Sequence, residues 1–106
     1  MPQKPRRETL YPLRLIPQEQ QLLLNMQSLR PGYDKPLKAL RTTKGELVAM
    51  FTYGQLDVLL GSVAYECNHT KDRKYDMALE PLFLRISKLV EQGRQELLAE
   101  LGHKEE

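Results

Sequence analysis

Leu56, Leu59, Leu60, Val63, Ala64 and Cys67 stand at positions i, i+3, i+4, i+7, i+8 and i+11. Only an α-helix turns that spacing into one apolar stripe. A helix of this kind is held less by propensity than by what its stripe packs against, so the rest of the chain must supply a core. Its start is equally legible, because Thr52 offers a hydroxyl to the first turn and Gln55 stands three residues on, the spacing of a capping box. Just upstream, Leu47 to Phe51 is the longest uninterrupted apolar run in the chain. It is too short to favour a helix and suits a buried strand. It also falls far below the roughly 20 residues a membrane-crossing helix requires, so no membrane partner is expected.

The same local grammar occurs earlier. Leu13, Arg14 and Leu15 alternate as a short strand does, Pro17 fits the first helical position where its missing N–H costs nothing, and Glu19 falls where the helix dipole favours an anion. Leu22, Leu23, Met26 and Leu29 then recur at helical spacing until Arg30, Pro31 and Gly32. At an offset of 36 residues Leu15 overlies Phe51, Glu19 overlies Gln55, and Leu23 and Leu24 overlie Leu59 and Leu60. Two identities do not make a duplicated sequence, but strand, cap and helix follow one another twice. The connector between the units, with Pro31, Gly32, Pro36 and Gly45, is expected to hold at most a short ordered piece at Leu37 to Arg41 and a turn at Thr43 to Gly45.

A polar break from Asn68 to Asp76, with Thr70 or Asp72 as the cap, precedes a last helical pattern through Leu79, Leu82, Ile86, Leu89, Val90, Leu97 and Leu101. A proline deep in a helix costs about 3 kcal/mol, so regular helix is expected to begin near residue 80 with Pro81 in its first turn and an irregular lead-in before it. A heptad register fails at Gly93 and Glu96. Gly93 occupies the apolar stripe where a larger residue belongs and points to a close crossing. About 22 helical residues span about 33 Å, beyond the roughly 26 Å diameter of a compact domain of this size. The end is therefore expected to project or to find a partner.

These readings predict an α+β fold dominated by helix. Three helices and two or three short strands run in the order strand-helix, strand-helix-helix around one core. At 106 residues the chain is one domain, expected at residues 10–101 between a flexible basic tail (1–9) and a disordered acidic tail (102–106). A two-stranded sheet is marginal by itself, which favours strand pairing across a homodimer.

The net charge of +2 conceals two unlike halves. Residues 1–44 carry a surplus of six positive charges, and the remainder a surplus of four negative ones. Lys4, Arg6, Arg7, Arg14, Arg41 and Lys44 are the candidate polyanion contacts, since clustered basic groups release counterions on neutralising phosphates. Tyr11, Tyr33 and Tyr53 are interleaved with them as possible stacking groups. The ordinary alternative is solvated charge, or attraction between the halves of one molecule or of two, and a pI near 8.7 leans that way.

The densest set of reactive groups follows the clearest helix: Glu66, Asn68, His69, Asp72, Arg73 and Lys74, beside Cys67. It is the candidate interaction or ligand loop. Cys67 continues the apolar stripe and reads as a core thiol, and His69 reads as a cap at the negative end of the helix dipole. With one cysteine and two histidines the chain is poor in metal ligands, and its six glycines never form a phosphate-binding loop. No catalytic, metal or cofactor site is predicted. The unpaired cysteine and the lack of an apolar leader pattern favour the cytoplasm. The function expected is a non-enzymatic protein-interaction or assembly module that self-associates. The alternative is a nucleic-acid-associated accessory protein using the basic half.

Overall fold

The computed structural model describes residues 9–43 and 46–104. Their order is β1 (Leu10–Leu15), α1 (Pro17–Leu24), α2 (Asp34–Lys38), β2 (Arg41–Thr43), β3 (Glu46–Thr52), α3 (Tyr53–His69) and α4 (Arg73–Lys104). The fold is α+β, with α2 as a short helix beyond the three expected. The strands form one antiparallel sheet in the order β1-β3-β2. Alternation places Tyr11, Leu13 and Leu15 on its inner face, opposite Phe51, Ala49 and Leu47 of β3. Against that face lie Leu23 of α1, Leu37 of α2, Leu56, Leu59 and Val63 of α3, and Leu79, Leu82 and Ile86 of α4, all in one core.

The sheet is completed within the chain, so pairing of strands across a dimer loses its argument. The open edge of β1 is handled locally. Arg85 donates to the carbonyl of Arg14 at 2.6 Å, which fixes the side of β1 that faces away from β3. Pro12 has the same parity, so the N–H it lacks would have pointed off the sheet, where proline is tolerated.

The two helix starts after strands share one half of a capping box, and α3 has both halves. Gln55 accepts from the backbone N–H of Thr52 at 2.9 Å while Thr52 accepts from that of Gln55 at 3.2 Å. Glu19, the counterpart of Gln55, accepts from the N–H of Ile16 at 3.0 Å. Glu19 also takes two bonds from Arg85, at 2.7 and 2.5 Å. Helix start, sheet edge and α4 are thereby tied at one point.

Three expectations need correction. α1 stops at Leu24 rather than reaching Leu29. Met26 is buried from the following turn, and the hydroxyls of Ser28 and Ser62 donate to each other's carbonyls at 3.3 and 3.1 Å, which draws the chain off the helical path. The piece at Leu37 to Arg41 straddles two elements, since α2 ends at Lys38 and β2 begins at Arg41. β2 and β3 meet at Thr43 and Glu46, and of the turn expected there Lys44 and Gly45 lie outside the described residues.

The third correction concerns α4, which runs 32 residues with Pro81 inside it. Asp72 caps its start, accepting from the N–H groups of Lys74 at 2.9 Å and Tyr75 at 3.4 Å. Pro81 and Met77 both face solvent, so the Met77 carbonyl that loses its donor meets water. At 1.5 Å per residue α4 is about 48 Å long, and the molecule measures 51 × 28 × 27 Å. The helix continues to Lys104, so Gly102 to Lys104 belong to it, and Glu105 and Glu106 lie outside the described residues.

Candidate functional site

The register brings four chain segments to one end of the molecule. Leu10 pairs with Thr52, so β1 begins where β3 ends and α3 opens at Tyr53. α4 leaves the globule at the same end. Gly93 is the point of departure, where a Cβ would come within 2.6 Å of Cδ1 of Tyr53 and 3.4 Å of the Tyr11 hydroxyl. The close crossing expected at Gly93 is thus made by a tyrosine ring laid on bare helix backbone.

Above that contact lies a cleft of about 430 Å³ between Tyr11, Tyr53, Glu96, Leu97 and Glu100, with Thr9 on its rim. The Tyr11 hydroxyl donates to Glu96, and Gln92 donates to the other oxygen of the same carboxylate at 3.2 Å. The bond to Glu96, then burial, then the charges of Glu96 and Glu100 push the Tyr11 phenol up to about 12. The same bond, with that from Gln92, holds Glu96 below the usual carboxylate range. A carboxylate has about four lone-pair sites, so Glu96 keeps acceptor capacity toward the cleft. Beyond it, Leu97, Leu98 and Leu101 are 43%, 60% and 52% exposed. At about 100° per residue they cover about 100° of the helix circumference, flanking the cleft.

In the α3–α4 turn, the expected ligand loop, Glu66, His69 and Asp72 make local structural contacts. Glu66 turns inward, accepting from Tyr75 at 2.8 Å and lying 3.1 Å from the Ser28 hydroxyl, whose one proton it shares with the Ser62 carbonyl. Burial and that bond push the Tyr75 phenol up to about 12. Asp72 is the cap of α4. His69 lies 2.8 Å through Nδ1 from the carbonyl of Tyr65, and its ring stacks on that of Tyr65 with centroids 3.9 Å apart. Burial, a hydrogen bond with Asp76 and the charges of Asp76, Glu80 and Glu66 push the Cys67 thiol up, away from the thiolate that nucleophilic or metal chemistry requires. Asn68, Arg73 and Lys74 are exposed. Among the described residues no three His, Cys, Asp or Glu side chains come together as metal ligands.

The candidate polyanion contacts are split. Lys4, Arg6, Arg7 and Lys44 lie outside the described residues. Arg14 and Arg41 stand in register on either side of Val48, and Arg14 is drawn to Glu46 at 3.5 Å. Tyr11 is buried, and half-buried Tyr53 packs on Gly93, so neither forms an open stacking platform. Among the described residues no helix is long and apolar enough to cross a membrane.

The cleft residues Tyr11, Tyr53, Glu96 and Glu100 escaped prediction as a site, although one signal for them was present. Gly93, Glu96, Leu97 and Glu100 continue the α4 stripe at i, i+3, i+4 and i+7, with carboxylates where leucines are due. The failure of the apolar register marks the place where the helix stops covering a core and begins lining a cleft. The chain matches no family model, no curated protein and no solved structure.

Proposed function

We propose that this chain is a non-enzymatic interaction module that assembles with a second copy of itself through the projecting end of α4. One observation carries the reading: Leu97, Leu98 and Leu101 stand exposed on a helix end that has left the core, whereas Leu79, Leu82 and Ile86 of the same helix are fully buried. A two-fold dimer is the simplest closed arrangement for one such stripe. The groups that might have pointed to an enzyme, Cys67, His69 and Asp72, are engaged in packing and capping. A cytoplasmic setting goes with this reading, since a lone thiol that packs against the core has no use for an oxidising compartment.

Light scattering across a concentration series tests the proposal. A mass rising toward twice that of the chain, and returned to the single-chain mass by Leu98→Glu, is expected. A single-chain mass at every concentration would refute it. The second reading, contact with nucleic acid, draws on Arg14, which stands exposed on the sheet. Its signature in the same runs is co-eluting nucleic-acid absorbance that disappears at high salt.

A further inference from the structure

We infer that the outer groove between α3 and α4 is the docking site for a basic amphipathic helix of another protein. This goes beyond self-association, because it uses the turns of α4 that pack on the core rather than the end that has left it.

Shape comes first. Cys67 is bonded to Asp76 and Tyr53 lies on Gly93, so the two helices run antiparallel. Each gives one stripe to the core, Leu56, Leu59 and Val63 from α3 and Leu79, Leu82 and Ile86 from α4. Their reverse faces point away from the sheet. Between the helices lies a cleft of about 410 Å³ lined by Ala64, Cys67, Asn68, Asp76, Glu80 and Phe83. Tyr65, Met77 and Leu84 stand on the reverse faces with 52%, 65% and 55% exposed, and the Tyr65 ring is steadied by its stacking on His69. Met77 and Leu84 are seven residues apart, about 10.5 Å of α-helix, which matches the i to i+7 spacing of anchors on an incoming helix. Packed helices sit about 8–10 Å apart, so the groove between two of them accepts the side-chain ridge of a third.

Charge comes second. Asp76 and Glu80 line the cleft, and neither forms an ion pair among the described residues. No Lys or Arg among the described residues lines it, and the basic groups of the α3–α4 turn, Lys71, Arg73 and Lys74, lie at one end. An occupant that seats apolar side chains against Tyr65, Met77 and Leu84 carries its flanks over the two carboxylates. There a cation is attracted and an anion repelled. Lys and Arg suit that place, because their aliphatic stems cover apolar surface while the charged heads reach an acid. The thioether of Met77 adapts to side chains of differing shape. The chain's own other helices do not supply such an occupant. α1 and α3 contain no Lys or Arg, and α2 has 5 residues. The complementary helix therefore belongs to a different protein.

Fluorescence anisotropy on the full chain tests this with a labelled peptide of about 15 leucine and lysine residues, its leucines at helical spacing. Saturable binding is expected, with the amide signals of residues 60–68 and 76–84 shifting as peptide is added. Met77→Gln with Leu84→Gln should weaken binding at least about tenfold, and since both side chains are exposed the variant should keep the parent's Tm. Asp76→Asn with Glu80→Gln should weaken it several-fold. A peptide with glutamate in place of every lysine should bind at least about tenfold more weakly than the basic one. Leu98→Glu should bind as the parent does, which separates this site from self-association whether or not the chain pairs. Absent binding, or shifts confined to residues 94–101, would overturn the proposal. Equal affinity for the acidic peptide would do the same, because charge would then select nothing. Shifts of residues 76–84 that grow with protein concentration before any peptide is added would make the occupant a second copy and equally refute it.

Discussion

Glycine to alanine inside a helix ordinarily stabilises it, and here the same change is expected to act with opposite signs at two places. Gly61 lies in α3 on the solvent side, with no atom within 4 Å of an added Cβ. Gly61→Ala should therefore gain the full propensity difference of about 0.8–1.0 kcal/mol. For a domain of this size each kcal/mol shifts Tm by about 4–8 °C. At Gly93 the same methyl meets Cδ1 of Tyr53 at 2.6 Å and Cε1 at 3.4 Å. The ring cannot retreat freely, because Tyr53 opens α3 directly after the Thr52 cap. Overpacking of this kind costs about 1–3 kcal/mol, so Gly93→Ala should come out between no change and a loss of about 2 kcal/mol.

Thermal and urea denaturation followed by circular dichroism decide the matter. The decisive comparison is a cycle with Tyr53→Ala. Once the ring is gone, Gly93→Ala should recover a gain of about 1 kcal/mol, giving a coupling energy of at least about 1 kcal/mol between the two positions. If Gly93→Ala raises Tm as much as Gly61→Ala does in the parent chain, the close seating of Tyr53 on α4 is not what glycine provides there.

Three further outcomes follow from the hydrogen bonds. Glu19→Gln should cost about 2 kcal/mol, below the usual 3–5 for a broken buried pair because water reaches part of Arg85, whose side chain is 38% exposed. Burial alone would raise the Glu19 carboxyl, but the bonds from Arg85 and Ile16 and the charge of Arg85 leave it below its ordinary 4.5. Its contribution is thus complete above pH 4.5 and is lost as pH falls through the lowered value, so the acid limb of the stability curve, measured in urea, should flatten in Glu19→Gln. Tyr11 and Tyr75 are shifted the other way, from 10.0 to about 12, so their contribution is complete below pH 10 and fades toward pH 12. Absorbance titration should find both phenols un-ionised at pH 11, with Tyr11→Phe removing one of the late-titrating groups. Asp72→Ala should lower stability by about 1 kcal/mol by uncapping α4, read in the same denaturation assay.

The elements legible in the sequence are those whose signals are local. The capping box at Thr52 and Gln55, the stripe from Leu56 to Cys67 and the run from Leu47 to Phe51 each lie within a few residues, and each became the element its spacing implied. What escaped prediction depends on partners far along the chain. Met26 and Leu29 have helical spacing, yet α1 ends before them because Ser28 is bonded to Ser62, 34 residues away. α4 begins earlier than its sequence predicts, since Pro81 carries a local cost of about 3 kcal/mol. Full burial of Leu79 is worth about 1.5–3 kcal/mol and the Asp72 cap about 1 kcal/mol, which together balance that cost, and neither is visible until the core exists. The cleft needed a contact between Tyr11 and Glu96, separated by 85 positions. In the turn from Glu66 to Lys74 the reactive groups are adjacent in sequence, but Glu66 accepts from Tyr75 and Ser28 whereas Asp72 caps α4.

The end of α4 joins the fold to the proposed assembly by an energetic argument. A helix as short as Arg94–Lys104 would not form alone in water, since isolated helices shorter than about 12–15 residues are marginal. Here it inherits its nucleus from turns already packed on the core and needs only propagation, aided by weak side-chain bonds such as that from Gln95 to Glu91 at 3.3 Å. Helicity therefore does not require the three exposed leucines. Roughly half of each is open to water, so burying Leu97, Leu98 and Leu101 from both copies of a two-fold pair would contribute about 5–9 kcal/mol. Association itself costs about 4–15 kcal/mol. Gain and cost are of the same size, so the proposed pair would form and separate with concentration rather than permanently. A charge at Leu98, the most exposed of the three, would then be enough to abolish it.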